Sequence, residues 1–195
     1  MEIKVITDIT TEPVTLAQAR QWVNFDDTSD DEDARITSLV TSARELIEKE
    51  CNVTMAQKVL QAYYHKDEID QDRRFPLPYG PHKSIDEFVK VDIEGNETTL
   101  VENTGYYKQG NQFFEISLAT RVSTWGGVET INDYKIQYTA GYGISDYTED
   151  LPDVFKTAIL EQVLLWYRRD YSNPQGMLSN IIREMVLPFS KNPWI

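Results

Sequence analysis

Residues 151–171 read LPDVFKTAILEQVLLWYRRDY, and no other stretch constrains the fold as strongly. The segment has helical form. Pro152 suits a first turn, where no backbone N–H is missed, and Asp153 complements the positive end of the helix dipole. Arg168 and Arg169 stand at the opposite end, where cations are favoured. Val154, Phe155, Ala158, Ile159, Val163, Leu165 and Trp166 make a broad apolar face, and Leu160, Leu164 and Tyr167 carry it most of the way round. Only Thr157, Glu161 and Arg168 form a water-facing stripe. A helix apolar on nearly every side is either central in a core or shared between a core and a partner. The chain looks too short to cover this helix completely, so the shared reading stays open beside the central one.

With 195 residues, 41% hydrophobic and 26% charged, the chain has the make-up of an ordinary folded domain and not of a disordered segment. Its net charge of −13 argues against a surface that grips nucleic acid, which needs basic groups to displace phosphate counterions. The single cysteine, Cys51, allows no internal disulfide and falls on an apolar helix face, where it reads as a small buried hydrophobe. The opening MEIKVITDITTEP has no basic region followed by an apolar run, so no signal peptide is expected, and no stretch is long and uncharged enough to span a bilayer.

Residues 1–13 alternate weakly and fit an edge strand or a loose arm. A short helix is expected over about 15–24, with Thr15 and Gln18 in capping-box relation and Leu16, Ala19, Trp22 and Val23 on its buried side. The acidic run NFDDTSDDEDA follows. As a calcium loop it fails, because counting from Asp26 places Asp31 and Thr37 where glycine and glutamate are required. It reads better as a second capping box, Ser29 with Glu32, with Asp30, Asp31 and Asp33 at a positive helix end. That helix is expected over about 31–51, with Ile36, Leu39, Val40, Ala43, Leu46, Ile47 and Cys51 inward and Arg35, Arg44, Glu45, Glu48 and Lys49 outward.

From residue 55 the period changes. Val59, Gln61 and Tyr63 alternate with Leu60, Ala62 and Tyr64, and the prolines of FPLPYGP exclude helix. Ile85, Phe88, Val89 and Val91 open a strand, and Gly95-Asn96 marks a hairpin. Short strands are expected at Gly105–Tyr107, Gln112–Ser117 and Arg121–Trp125, and a last one at Tyr134–Ala140. The fold class is therefore α+β. An N-terminal antiparallel helix pair and a C-terminal central helix pack together, and an antiparallel β region over about 55–142 lies between them. Residues 1–171 read as one domain and 172–195 as an arm. The arm holds Met177, Leu178, Ile181, Ile182 and Met185 at helical spacing, then Phe189 and Trp194 in a proline-broken end. It either folds back on its own domain or docks on another chain.

No chemistry stands out. His65 and His82 belong to no metal pattern, phosphate-cradling and nucleophile-elbow motifs are absent, and acidic pairs are expected by chance among 32 carboxylates. No enzyme, metal or cofactor is indicated. The tyrosines and tryptophans of the β region read mainly as sheet core. A carbohydrate-binding platform is the alternative from another class, and an acidic DNA mimic is a third.

Five pieces in order, EPVTLAQARQWV, DDEDARITSLVTSARELIEKECN, LPYGPHKSIDEFVKVD, YKIQYTAGYG and LPDVFKTAILEQVLLWYRRD, resemble the head–tail connector (neck adaptor) proteins of long-tailed bacteriophages. The resemblance runs over roughly residues 13–170. It implies a structural virion protein in a ring of identical subunits, a dodecamer, under the portal. The ring would extend the DNA channel and dock a tail or stopper protein, after assembly in the host cytoplasm. DNA would pass without specific binding, and no membrane is involved. Under this reading Met177, Leu178, Ile181, Ile182, Met185, Phe189 and Trp194 are the expected contacts to portal or neighbouring subunit. Asp26, Asp27, Asp30 and Asp31 would form a channel-facing or inter-subunit acidic loop, because like charge lets DNA slide without adhering.

Overall fold

A computed structural model describes residues 1–24, 30–69, 74–111, 113–119, 131–143, 151–168 and 178–189, with the side chains of Asp30, Asp31, Ile131 and Asn132 excepted. The expected strand at Arg121–Trp125 and the Ser29 cap lie outside the described residues. The fold is α+β, as expected, with antiparallel sheets. Whereas the sequence reading draws its boundary at Tyr171, the contacts of the chain divide it into two compact units. One is Met1–Asp8 with Gln57–Gly141, and the other is Ile9–Ala56 with Tyr142–Ile195.

The helical unit holds α1 (Leu16–Val23), α2 (Asp30–Cys51), α3 (Asp153–Tyr167) and α4 (Asn180–Val186). The α1 cap forms as the sequence predicts: Thr15 Oγ1 accepts the Gln18 N–H at 3.2 Å, and Gln18 Oε1 accepts the Thr15 N–H at 2.9 Å. Asn24 closes the helix in the left-handed region. On α2 the inward positions Ile36, Leu39, Val40, Ala43, Ile47 and Cys51 are buried. They meet Phe155, Ala158, Ile159, Val163 and Trp166 of α3 in one cluster. Each large side chain fully removed from water contributes about 1.5–3 kcal/mol, so this seam dominates the unit's stability.

Two expectations fail here. Trp22 is not on the buried side of α1 but 41% exposed, because α1 is only two turns long and Ala19 and Val23 already fill its contact with the core. Arg44 and Glu48 do not face water on α2; they are 2% and 4% exposed. Arg44 donates to Glu48 Oε2 and Glu12 Oε2, both at 2.8 Å, and Glu48 Oε1 accepts the Met55 N–H at 2.8 Å. Burial alone would lower the pKa of Arg44. The carboxylates of Glu48, Glu12 and Glu45 outweigh it and hold the guanidinium above its ordinary value. The network ties the segment ahead of α1 and the turn after α2 to one charge. Of the two readings of α3, the central one fits the chain's own packing. Every apolar residue on it is buried or half-buried within this chain, and only Asp153 is exposed.

The β unit contains β1 (Glu2–Thr7), β2 (Lys58–His65), β3 (Arg74–Pro76), β4 (His82–Asp92), β5 (Glu97–Thr99), β6 (Tyr106–Gln109), β7 (Glu115–Leu118) and β8 (Ile131–Ala140). Of residues 1–13, Glu2–Thr7 thus form an edge strand. The larger sheet has the order β1-β2-β8-β4-β5 and the smaller β3-β7-β6. Alternation on β2 buries Leu60, Ala62 and Tyr64, and β8 buries Tyr134, Ile136 and Tyr138 on the same face. The last strand in the chain order is therefore the middle strand of the sheet. Gly95, at φ +87°, makes the turn from β4 to β5, whose ends are fixed by Asp92 Oδ1 accepting the Glu94 and Asn96 N–H groups at 2.9 and 2.8 Å. Phe75 sits at the centre of the core with edge-on contacts to Tyr64, Phe88 and Tyr134 at 5.1–5.3 Å. His82, 2% exposed, braces the two sheets: Nδ1 accepts the Phe114 N–H at 2.8 Å, and Nε2 lies 3.2 Å from the Pro78 carbonyl.

Candidate docking surface

The C-terminal segment is half core and half surface. Ser179 caps α4, its Oγ accepting the Ile182 N–H at 3.3 Å. Its own N–H donates to Gln162 Oε1 at 3.3 Å. Gln162 is fully buried in α3, so a polar side chain inside the core fixes where α4 begins. Leu178, Ile182 and Val186 then fall at spacing 4 and lie 5%, 1% and 1% exposed in the helical core. The Phe189 ring approaches the Phe155 ring at 5.4 Å, and Arg183 pairs with Glu50 of α2 at 3.0 Å. These contacts hold the segment down at both ends.

Its outer side is mixed, with Asn180, Arg183 and Glu184 exposed beside apolar groups. Ile181 is 75% exposed, Leu187 52% and Phe189 36%, with Met185 half-buried. Of the seven arm residues singled out in the sequence, Leu178 and Ile182 point into their own core, and Ile181, Met185 and Phe189 reach the surface. Met177 and Trp194 lie outside the described residues. Leu187 joins the exposed set, and Gln162 joins the residues that position it. The cue for Gln162 was an amide at i+3 and i+4 from Ile159 and Ala158, on a face otherwise apolar.

Asp26 and Asp27 lie outside the described residues; Asp30 opens α2 and Asp31 follows in it, their side chains undescribed. The next acids are engaged within the chain. Asp33 pairs with Arg20 at 3.3 Å and Glu32 with Arg35 at 3.4 Å, while Arg35 also lies over the Tyr167 ring at 4.9 Å. Among the described residues no group of three His, Cys, Asp or Glu is placed to hold a metal, and no helix is long and apolar enough to cross a membrane. Burial pushes the Cys51 thiol up to about 12, with the Glu50 charge adding to it, so the thiol is protonated and unreactive at neutral pH. In the β unit Tyr106, Tyr134 and Tyr138 are buried and Trp125 lies outside the described residues, so the described residues form no exposed aromatic row for a sugar. A cleft of about 530 Å³ opens beside Tyr63, His65, Asp133 and Lys135, and its Lys135 is already paired with Glu97.

Comparison with known proteins gives the same class. The fold is that of neck proteins in tailed particles. A chain from the neck of an empty gene transfer agent particle, computed with C6 symmetry, matches at TM-score 0.74, with 16% identity over 98% of this chain and 96% of that one. Chains from the native gene transfer agent virion and from the native neck computed with C12 symmetry match at 0.72 and 0.68, with the same identity and coverage. Nothing among the curated proteins matches. The head completion protein family matches residues 13–179, and the chain belongs to that family of structural proteins of the bacteriophage neck.

Proposed function

We propose that the chain forms a ring under the portal, extends the DNA channel and docks a tail or stopper protein. The observation that carries this reading is the split face of the last described segment. Leu178, Ile182 and Val186 anchor it to its own core, so Ile181, Leu187 and Phe189 are presented on a fixed support. Pre-ordered apolar groups bind without the entropy cost of first ordering a loose arm. Residues 1–171 would then act as the connector domain and residues 172–195 as its partner-facing end, Met177 and Trp194 included. The net charge of −13 suits a passage for DNA, with Asp26, Asp27, Asp30 and Asp31 as channel-facing or inter-subunit groups. The subunits would assemble in the host cytoplasm and remain in the virion neck. The C6 and C12 symmetries used for the similar neck chains support a ring, and a dodecamer in particular.

The test is binding to the portal protein of the same phage. The full chain should bind; an Ile181→Asp, Leu187→Asp version should lose at least tenfold in affinity while keeping its helical content. Undiminished binding by the folded double variant would remove the docking surface.

A further inference from the structure

A ring closed by rotation joins unlike surfaces: each subunit presents one patch to the left and a different one to the right. The β unit carries two such patches. Six large apolar side chains are exposed among its described residues: Met1, Val5, Ile6, Ile93, Val101 and Tyr107. Five of them lie at the two edges of the five-stranded sheet. Met1, Val5 and Ile6 belong to β1 and its start. Ile93 and Val101 flank β5, one in the turn before it and one just after it. Among the described residues β1 pairs only with β2 and β5 only with β4, so each edge has a free side.

Register places Val101, though not Ile93, at the height of the β1 patch. Glu2 pairs with Tyr63, Tyr63 with Lys135, Lys135 with Val89, and Val89 with Thr99. Val5 reaches across through Leu60 and Tyr138 to Ile85. Val101 follows Thr99 by two residues, and so stands between these levels. The β1 ladder also slips between Val5 and Thr7, leaving Ile6 without a strand partner. Such a bulge bends an edge and re-aims its side chains, and it discourages a continued main-chain ladder. The edge is therefore built for side-chain packing.

We propose that Val5 and Ile6 on the β1 edge of one subunit pack against Val101 on the β5 edge of the next copy, head to tail. Charge agrees in part: Lys4 is exposed on the first edge, and Glu94, Glu97 and Glu102 are exposed around the second, although Glu2 on β1 adds a like charge. The inference rests on the ring reading above and says which surfaces close it.

Cysteines at Lys4→Cys and Glu102→Cys test it, with a short bismaleimide added to rings assembled on the portal. Cys51 is buried and does not compete. The double variant should give a ladder of covalent multimers rising one chain at a time. A mixture of the two single variants should stop at dimers, and each single variant alone should stay uncrosslinked. The mass of the same assemblies is recorded before crosslinking. Rings without a ladder overturn this interface and leave the proposed function standing. Dimers from one single variant alone indicate a two-fold contact and also overturn it. Absence of any ring removes both.

Discussion

The two units of this chain handle apolar surface differently. The helical unit starts with the greasiest segment in the sequence and covers it: no apolar residue of α3 is exposed. Among the described residues, the large apolar side chains it leaves outside gather near the end of the chain, on Ile181, Leu187 and Phe189, apart from Trp22 on α1. The β unit has a core centred on Phe75 and leaves its apolar groups at the two ends of the strand order. A helix that is apolar all round thus carries less information about partners than its appearance invites. Apolar groups that stay exposed on rigid edges or on an anchored helix carry more.

The contrast can be attacked through the cores first. Phe75→Ala in the β unit and Phe155→Ala in the helical unit should each cost about 3–5 kcal/mol, the usual loss for a buried phenylalanine. Hydrogen exchange should show the loss of protection concentrated in β2, β4 and β8 for the first and in α2 and α3 for the second. Equal loss everywhere in both variants would mean that the units are one cooperative body.

Arg44→Ala should cost about 3 kcal/mol in denaturant unfolding, because it strands Glu48 as a buried charge. An Arg44→Met, Glu48→Leu version should recover much of that. In the β unit His82→Ala leaves the Phe114 N–H buried without an acceptor, and about 2 kcal/mol should be lost. Ser179→Ala removes one cap of a short helix and should cost about 1 kcal/mol, with exchange rising mainly at the Ile182 amide.

The smallest effect lies in mildly alkaline solution. Desolvation raises the folded pKa of Cys51 above 9.0 and those of Tyr64, Tyr106 and Tyr138 above 10.0, with nearby negative charge adding to each. A raised folded pKa means stability that is complete below the unfolded value and lost as pH climbs past it. Unfolding midpoints should therefore be level up to about pH 9, since unperturbed thiols and phenols titrate only at and above that range, and fall beyond it. The β unit holds three such phenols and the helical unit Cys51, Tyr142 and Tyr167, so both should fall. A flat profile to pH 11 would contradict that burial.

Much of this was legible in the residues. The Thr15–Gln18 cap, the inward stripe of α2 and the alternation on β2 and β8 are local patterns, and local patterns survive into the fold. What was not legible depended on distant partners. Arg44 and Glu48 read as solvated charges because Glu12 and the Met55 N–H, which satisfy them, come from other segments. Trp22 read as core because periodicity does not say how much core a two-turn helix can reach. On α4 the stripe was mis-phased: Ile181 shares helical spacing with Leu178 and Met185, but the Gln162–Ser179 hydrogen bond fixes the rotation that turns Ile182 and Val186 inward. The central place of β8 is a matter of topology, which strand composition does not encode.

Counting the copies of this chain on one portal tests the account most directly. Native mass measurement of the purified complex should give a closed set matching a ring, twelve copies if the symmetry of the similar native neck holds here. One or two copies per portal, or none with the full chain folded, would contradict the ring.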